Sequence, residues 1–222
     1  MEFKAAVGSR RTVRRFEPDR PVEKAKIRAI LEAAAQQSQH GNAQLVRKAV
    51  VVTKGETPDV IRDALIDALY HQPQAAAAPV AIVWVQDMSG WNHNREKVRA
   101  LLDARPPSEG WEADFADSGL APEDLVIHPD TNSAFTEWLT SFECGLAVGS
   151  ALLAAVDAGL GTGLITGRRE EIRKLLDMPA SCTPTQVQLV GYAAQGRAPG
   201  PTRPRPGFDE LYFADTWGRP LA

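Results

Sequence analysis

Apolar residues recur at three- and four-residue intervals through 22–37, at Val22, Ile27, Ile30, Leu31 and Ala34. That is the period of a helix burying one face. Asp19 or Pro21 stands near its start, and Ser-Gln-His-Gly-Asn at 38–42 breaks it. A shorter apolar-faced helix is expected before Ser9. The β-branched stretch Ala49-Val50-Val51-Val52-Thr53, bounded by Lys54-Gly55, predicts a strand. Residues 58–71 return to the helical period, with Ile61, Leu65 and Leu69 on one face. Pro79 to Val85 is apolar throughout and only strand-long, as in a strand covered on both faces.

Between 87 and 133 the pattern degrades. A helix is expected over 92–104, whereas 105–133 is polar and rich in proline and acid, with Trp111 and Phe115 as isolated large apolar residues. A segment of that kind reads as a lid or a surface excursion. From Phe135 to Ala158 the helical pattern is the strongest in the chain. Its middle is rich in small residues (Gly145, Ala147, Gly149, Ala151), which suits close approach of a partner helix from a second subunit. Glu143 and Asp157 read as acids that solvate the ends of this helix. Strands are expected at 162–166 and 186–194, with a short helix over 168–177 between them. Strands alternating with helices predict a sheet packed by helices, α+β or α/β, in one domain spanning 1–222.

Composition narrows the partners more than the fold. The 222 residues are 44% hydrophobic and 24% charged, ample for a core. A net charge of -3 argues against bulk attraction to nucleic acid or an anionic membrane. The N-terminus has no apolar leader, and the longest apolar run, Cys144 to Val156, falls short of the roughly 20 residues that span a bilayer. Cys144 and Cys182 lack CxxC spacing and read as reduced thiols, which with the absent leader points to a cytoplasmic protein. His40, His71, His93 and His128 are too scattered for a metal site, and no GxSxG, Walker A or Cys–His grouping is present.

Against that acidic balance, Ser9-Arg10-Arg11-Thr12-Val13-Arg14-Arg15-Phe16 places four arginines and two hydroxyls in eight residues. Arginine forks with short neutral donors are the chemistry of a phosphate ester. The glycine-rich stretch Gly159–Gly167 is not a dinucleotide fingerprint. Thr166 stands where the third glycine belongs, and the stretch follows a helix and enters a strand. Gly159 suits a left-handed helix C-cap. Gly167, at the far end of the strand, suits close backbone approach to a flat ligand. Gly41-Asn42-Ala43-Gln44 by itself reads as a turn; the alternative is that the Asn42 and Gln44 amides read a heterocycle. Arg197, Arg203 and Arg205 lie in a proline-rich stretch that by itself reads as a solvated linker.

Taken in order, these segments resemble the FMN-dependent nitroreductase family. The resemblance rests on RRTVRRFEPDRPV, a helix, GNAQ before a strand, a long helix into DAGLGTGLITG, a helix ending LLDMP, a strand ending GYAAQG, and an arginine–proline tail closing with YFADTWG. It covers nearly the whole chain and is weakest at 87–133. It implies an α+β fold with a central, mostly antiparallel sheet, a long central helix at a homodimer interface, and an extended C-terminal tail. By position, Arg10, Arg11 and Thr12 would hold the FMN phosphate and ribityl chain, and Arg14 would lie nearer the flavin, with Arg15 left solvated. Gly41, Asn42 and Gln44 would approach the ring from the partner subunit. Thr166 and Gly167 would present backbone groups to it, and Arg203 or Arg205 would complete the phosphate clamp. The chain departs from the family at three places. Ser38-Gln39-His40 stands for Pro-Ser-Ser, Leu45-Val46 for Pro-Trp, and Tyr70-His71-Gln72-Pro73 lies where many members place Asn and Lys toward the flavin pyrimidine.

The implied activity is NAD(P)H-dependent reduction of nitroaromatics, quinones or related electrophiles in two alternating half-reactions. It needs no protein nucleophile. Two other readings remain open at this level. One is a specialised flavoenzyme of the same superfamily: a reductive dehalogenase, a dehydrogenase or oxidase of a small ring, or a flavin-consuming enzyme. The other is a non-catalytic FMN-binding protein.

Overall fold

The computed structural model describes residues 2–37, 45–91, 134–194 and 204–219. The expected helix at 92–104 and the segment 105–133 lie outside them. Strands β1 (Arg47–Thr53), β2 (Val80–Asp87), β3 (Gly161–Ile165) and β4 (Cys182–Gly191) form one sheet in the order β1-β2-β4-β3, antiparallel throughout. Side chains alternate along β2. Val80, Ile82 and Trp84 enter one core, and Val83 and Val85 enter the other. The continuous apolar run is therefore two faces read in one line, as a central strand requires.

The first core is closed by α2 (Lys24–Ala35) and a 24-residue helix, α5 (Ala134–Asp157). Ile27, Ile30 and Ala34 of α2 meet Ala147, Val148, Ala151 and Ala155 of α5 over the sheet. The second core lies under α3 (Asp59–Ala68), α4 (Pro73–Ala77) and α6 (Arg169–Leu175), with Leu65, Leu69, Ala75 and Ile172 buried. Each fully buried Leu or Ile contributes about 1.5–3 kcal/mol relative to exposure. The result is an α+β fold of three layers.

Three local features differ from the sequence expectation. β4 starts at Cys182, because Pro184 sits opposite Val85 where the β2–β4 register shifts, a place where its missing N–H is tolerated. Helix α4 has no apolar period to announce it. Pro73 starts it, and the Arg62 guanidinium donates to the Ala76 and Ala78 carbonyls at its end.

The third difference is Glu143. It does not solvate an end of α5: it lies mid-helix, fully buried, with its carboxylate 4.0 Å from the buried Arg47 guanidinium on β1. Asp157 does end the helix in solvent. By length and composition α5 could cross a bilayer, yet its inner face packs against α2 and the sheet as a core helix does. Its outer face carries Phe135, Trp138 and Phe142, exposed and in ring contact at 5.8 and 5.9 Å. A methyl added at Gly145 or Gly149 on that face would meet nothing within 4 Å.

Candidate functional site

Helix α1 (Phe3–Ser9) delivers the arginine cluster to the edge of the sheet. The Arg11 guanidinium donates to the Gly8 and Arg10 carbonyls at 2.7 and 2.9 Å, capping the end of α1. Beyond it the backbone docks on the core. Thr12 forms a parallel bridge with Thr162, the Val13 amide donates to the Thr162 carbonyl at 2.9 Å, and the Ala194 amide donates to the Arg15 carbonyl at 3.1 Å. Phe16 is buried and bridges Ala193.

The glycines of Gly159–Gly167 explain why this docking is possible. A Cβ on Gly163 would stand 2.9 Å from the Val13 carbonyl oxygen, and one on Gly161 would stand 2.9 Å from a Val13 methyl. The 12–14 segment lies where those side chains would be. Gly159, with φ of 75°, is the left-handed cap of α5. Gly167 has a packing reason of its own, since its Cβ would fall 2.5 Å from the Ala68 carbonyl oxygen.

Between this segment and the sheet lies a cleft of about 320 Å³, lined on one side by Thr12, Val13 and Arg14 and on the other by Gly163, Leu164, Ile165 and Thr166. Gln72, Gln74 and Gln186 supply most of the remaining polar wall. Its size is at the small end of ligand pockets. The first two glutamines are placed by a turn in which Tyr70 (φ 61°) and His71 (φ 50°) are both left-handed. Such a conformation costs a non-glycine residue roughly 1–3 kcal/mol. The turn is held by the His71 amide donating to the Ile66 carbonyl at 3.0 Å and by the His71 imidazole against Asp67 at 2.8 Å.

Of the residues singled out in the sequence, Thr12, Arg14 and Thr166 share this cleft. Arg10, Arg11 and Gly167 flank it without lining it. Arg205 is exposed in the C-terminal segment, while Gly41, Asn42, Gln44 and Arg203 lie outside the described residues. Sequence reasoning did not find Gln74 and Gln186. Gln186 is one of several polar residues in β4, with Thr183, Thr185 and Gln188, so nothing along the chain singled it out.

Among the described residues, Arg10, Arg14 and Arg15 have no acidic partner within ion-pair distance. Cations grouped beside hydroxyls and carboxamides suit an anionic, hydrogen-bonding ligand. Among the described residues, neither cysteine lines the cleft. Cys144 is buried, and that burial pushes its thiol up to about 12, so it stays protonated at neutral pH. Burial also raises the Cys182 thiol.

Fold and cleft together define a three-layer α+β protein with a cleft of cationic and hydrogen-bonding groups at the edge of an antiparallel sheet. The sequence profile of the nitroreductase family matches residues 7–192, and the chain belongs to that family. Among curated relatives it is similar to an FMN reductase [NAD(P)H] of Bacillus subtilis (strain 168), 28% identical over 155 residues. That match covers 64% of this chain and 61% of the relative's length. Solved structures share the fold. The ydfN protein of Bacillus subtilis superposes with a TM-score of 0.79 at 17% identity, covering 96% of this chain and 98% of that one. A protein of Exiguobacterium sibiricum 255-15, solved in complex with FMN, superposes with a TM-score of 0.73 at 19% identity, covering 96% of each chain.

Proposed function

We propose that the protein is an FMN-dependent oxidoreductase that draws on NAD(P)H to reduce nitroaromatics, quinones or related electrophiles, as a single-domain homodimer. One observation carries this reading. The Thr12–Arg14 segment, docked against β3, brings a hydroxyl and a cation into the same cleft as Thr166 and three glutamine carboxamides. That donor set fits FMN, which combines a phosphate, a hydroxylated chain and a ring edged by hydrogen-bonding groups. Bound FMN would supply the electron-transfer chemistry, so the chain needs no nucleophile of its own.

The residues of the chain would bind and orient. Arg10 and Arg11 would hold the phosphate, for which Arg11 would turn from the end of α1. Thr12 would hold the ribityl hydroxyls, and Arg203 or Arg205 would close on the phosphate from the C-terminal side. Arg14 would place its positive charge beside the ring, favouring a reduced, anionic cofactor. Thr166 and Gly167 would border the ring, and Asn42 and Gln44 would reach it from the partner subunit. The exposed Phe135, Trp138 and Phe142 on α5, with Gly145 and Gly149 beyond them, form an apolar stripe suited to a second copy of the same helix.

Absorbance of the purified protein tests the cofactor directly. Flavin bands, or their return on adding FMN to colourless protein, are expected; a protein that rebinds no FMN would overturn the reading. Stopped-flow reduction with NADH and NADPH, then reoxidation by nitroarenes, quinones and halophenols, would identify donor and acceptor.

A further inference from the structure

Gly161 and Gly163 give β3 no side chain to pack at two of its positions, and Leu164 faces outward. Thr162 is the one side chain of the strand that is fully buried. Apolar packing alone holds a glycine-rich edge strand poorly in register. A slip of one residue would turn Thr162 outward and move the carbonyl that receives the Val13 amide by about 3.3 Å.

Gln188, fully buried on β4, makes the bonds that resist such a slip. Its Nε2 donates to the Thr162 hydroxyl at 3.1 Å and to the Ala151 carbonyl of α5 at 3.3 Å. Its Oε1 accepts the Trp84 indole N–H of β2 at 3.1 Å. An indole N–H can only donate, so the carboxamide oxygen faces Trp84 and the amide hydrogens face Thr162 and Ala151. The carboxamide therefore ties β3 to β2 and α5 in one orientation. Breaking any of these bonds would leave a polar group buried without a partner, which contacts between aliphatic side chains would not.

We propose that Gln188 is a positioning residue: through Thr162 it fixes the register of β3, and so the place at which the Thr12–Arg14 segment docks. The inference rests on the FMN reading, in which Arg10, Arg11 and Thr12 hold the phosphate end of the cofactor. Gln188 does not line the cleft and touches no ligand. Its effect passes through the Thr162 backbone, which bridges Thr12 and accepts the Val13 amide at 2.9 Å. A displaced β3 is then read as lost affinity for the phosphate.

The test measures how far apo-protein prefers FMN over riboflavin, which lacks the phosphate, by quenching of flavin fluorescence. Wild type is expected to prefer FMN by about 100-fold, and Thr162→Val to reduce that preference about tenfold, the scale of one charge-assisted contact. Thr162→Ser keeps the hydroxyl and should keep the preference. So should Ile30→Val, which trims the same core from α2 and has no bond to the network. Trp84→Phe frees the carboxamide from its other end and carries the same expectation as Thr162→Val, so the test does not depend on one variant folding. A wild-type preference surviving in Thr162→Val or Trp84→Phe would overturn the proposal and leave the FMN reading intact. An equal loss in Thr162→Ser or Ile30→Val would overturn it too, since the effect would then be one of core packing. Wild-type protein that binds neither flavin would overturn the FMN reading and this inference with it.

Discussion

The Val13 amide donates to the Thr162 carbonyl at 2.9 Å, joining the arginine segment to β3 at the edge of the sheet. That single bond sets the geometry of the cleft, because Thr12 and Arg14 are its neighbours on either side. Thr162 is fully buried, and its hydroxyl accepts from the Gln188 amide, whose own oxygen accepts the Trp84 indole N–H. The segment that would hold a ligand is thus anchored to the most buried part of the molecule.

Gly163→Val tests the docking. Its side chain would meet the Val13 carbonyl oxygen at 2.9 Å and push the 12–14 segment away. Thermal unfolding should shift several degrees lower, since overpacking typically costs about 1–3 kcal/mol. Flavin content should fall with it. Gly8→Ala in α1, where an added methyl meets nothing within 4 Å, should keep its flavin; equal loss in both variants would disconnect the docking from binding.

Arg10→Ala should weaken FMN retention by about 10- to 100-fold, the worth of a charge-assisted contact. Arg14→Gln should act differently, lowering the flavin midpoint potential more than it weakens binding. Equilibrium dialysis and a potentiometric titration separate the two effects. Full flavin occupancy in Arg10→Ala would count against the clamp.

Asp87 gives the fold an acid-sensitive point. Burial alone would raise its pKa, but hydrogen bonds from Lys48, Ser89 and Ser181 outweigh this and hold it at about 2, below the ordinary 3.8. A carboxylate depressed in the folded state stabilises above its unfolded pKa. That contribution, on the order of 2 kcal/mol, is therefore present above about pH 4 and lost as pH falls toward about 2. Urea unfolding between about pH 5 and about pH 2.5 should show the slope, and Asp87→Asn should flatten it.

Trp138→Asp tests the proposed homodimer and should break it. The residue is 59% exposed and lies between Phe135 and Phe142 on the outer face of α5. A carboxylate there would be buried unpaired in a two-fold interface, at a cost of several kcal/mol. Light scattering after gel filtration should report a dimer for the parent chain and a monomer for the variant, and flavin binding should weaken with it. A variant that stays dimeric would place the interface elsewhere.

Where a residue's neighbours in space were its neighbours along the chain, the sequence was a sufficient guide. The helical period of 22–37, the two-faced run of β2 and the left-handed cap at Gly159 all follow from spacing and backbone preference alone. So does the excess of positive charge at 10–15. These features are local: they depend on 3.6- and 2-residue periods, on one residue's allowed φ, and on charge counted over a few positions.

The cleft is not local. It brings Thr12, Gln74, Gly163 and Gln186 together from four distant parts of the chain, and only strand pairing and helix packing make them neighbours. Gln74 belongs to a short helix without apolar period, so its aim comes from a strained turn and from the Arg62 fork. Glu143 looked like a surface acid because its helix is amphipathic only in part, and Arg47, nearly a hundred positions earlier, sits beside it in the core. The glycines after α5 are ambiguous along the chain and acquire a meaning once Val13 lies across them. Backbone preference and periodicity thus set the elements, while the long-range contacts that decide which polar groups face one another exist only once those elements have packed.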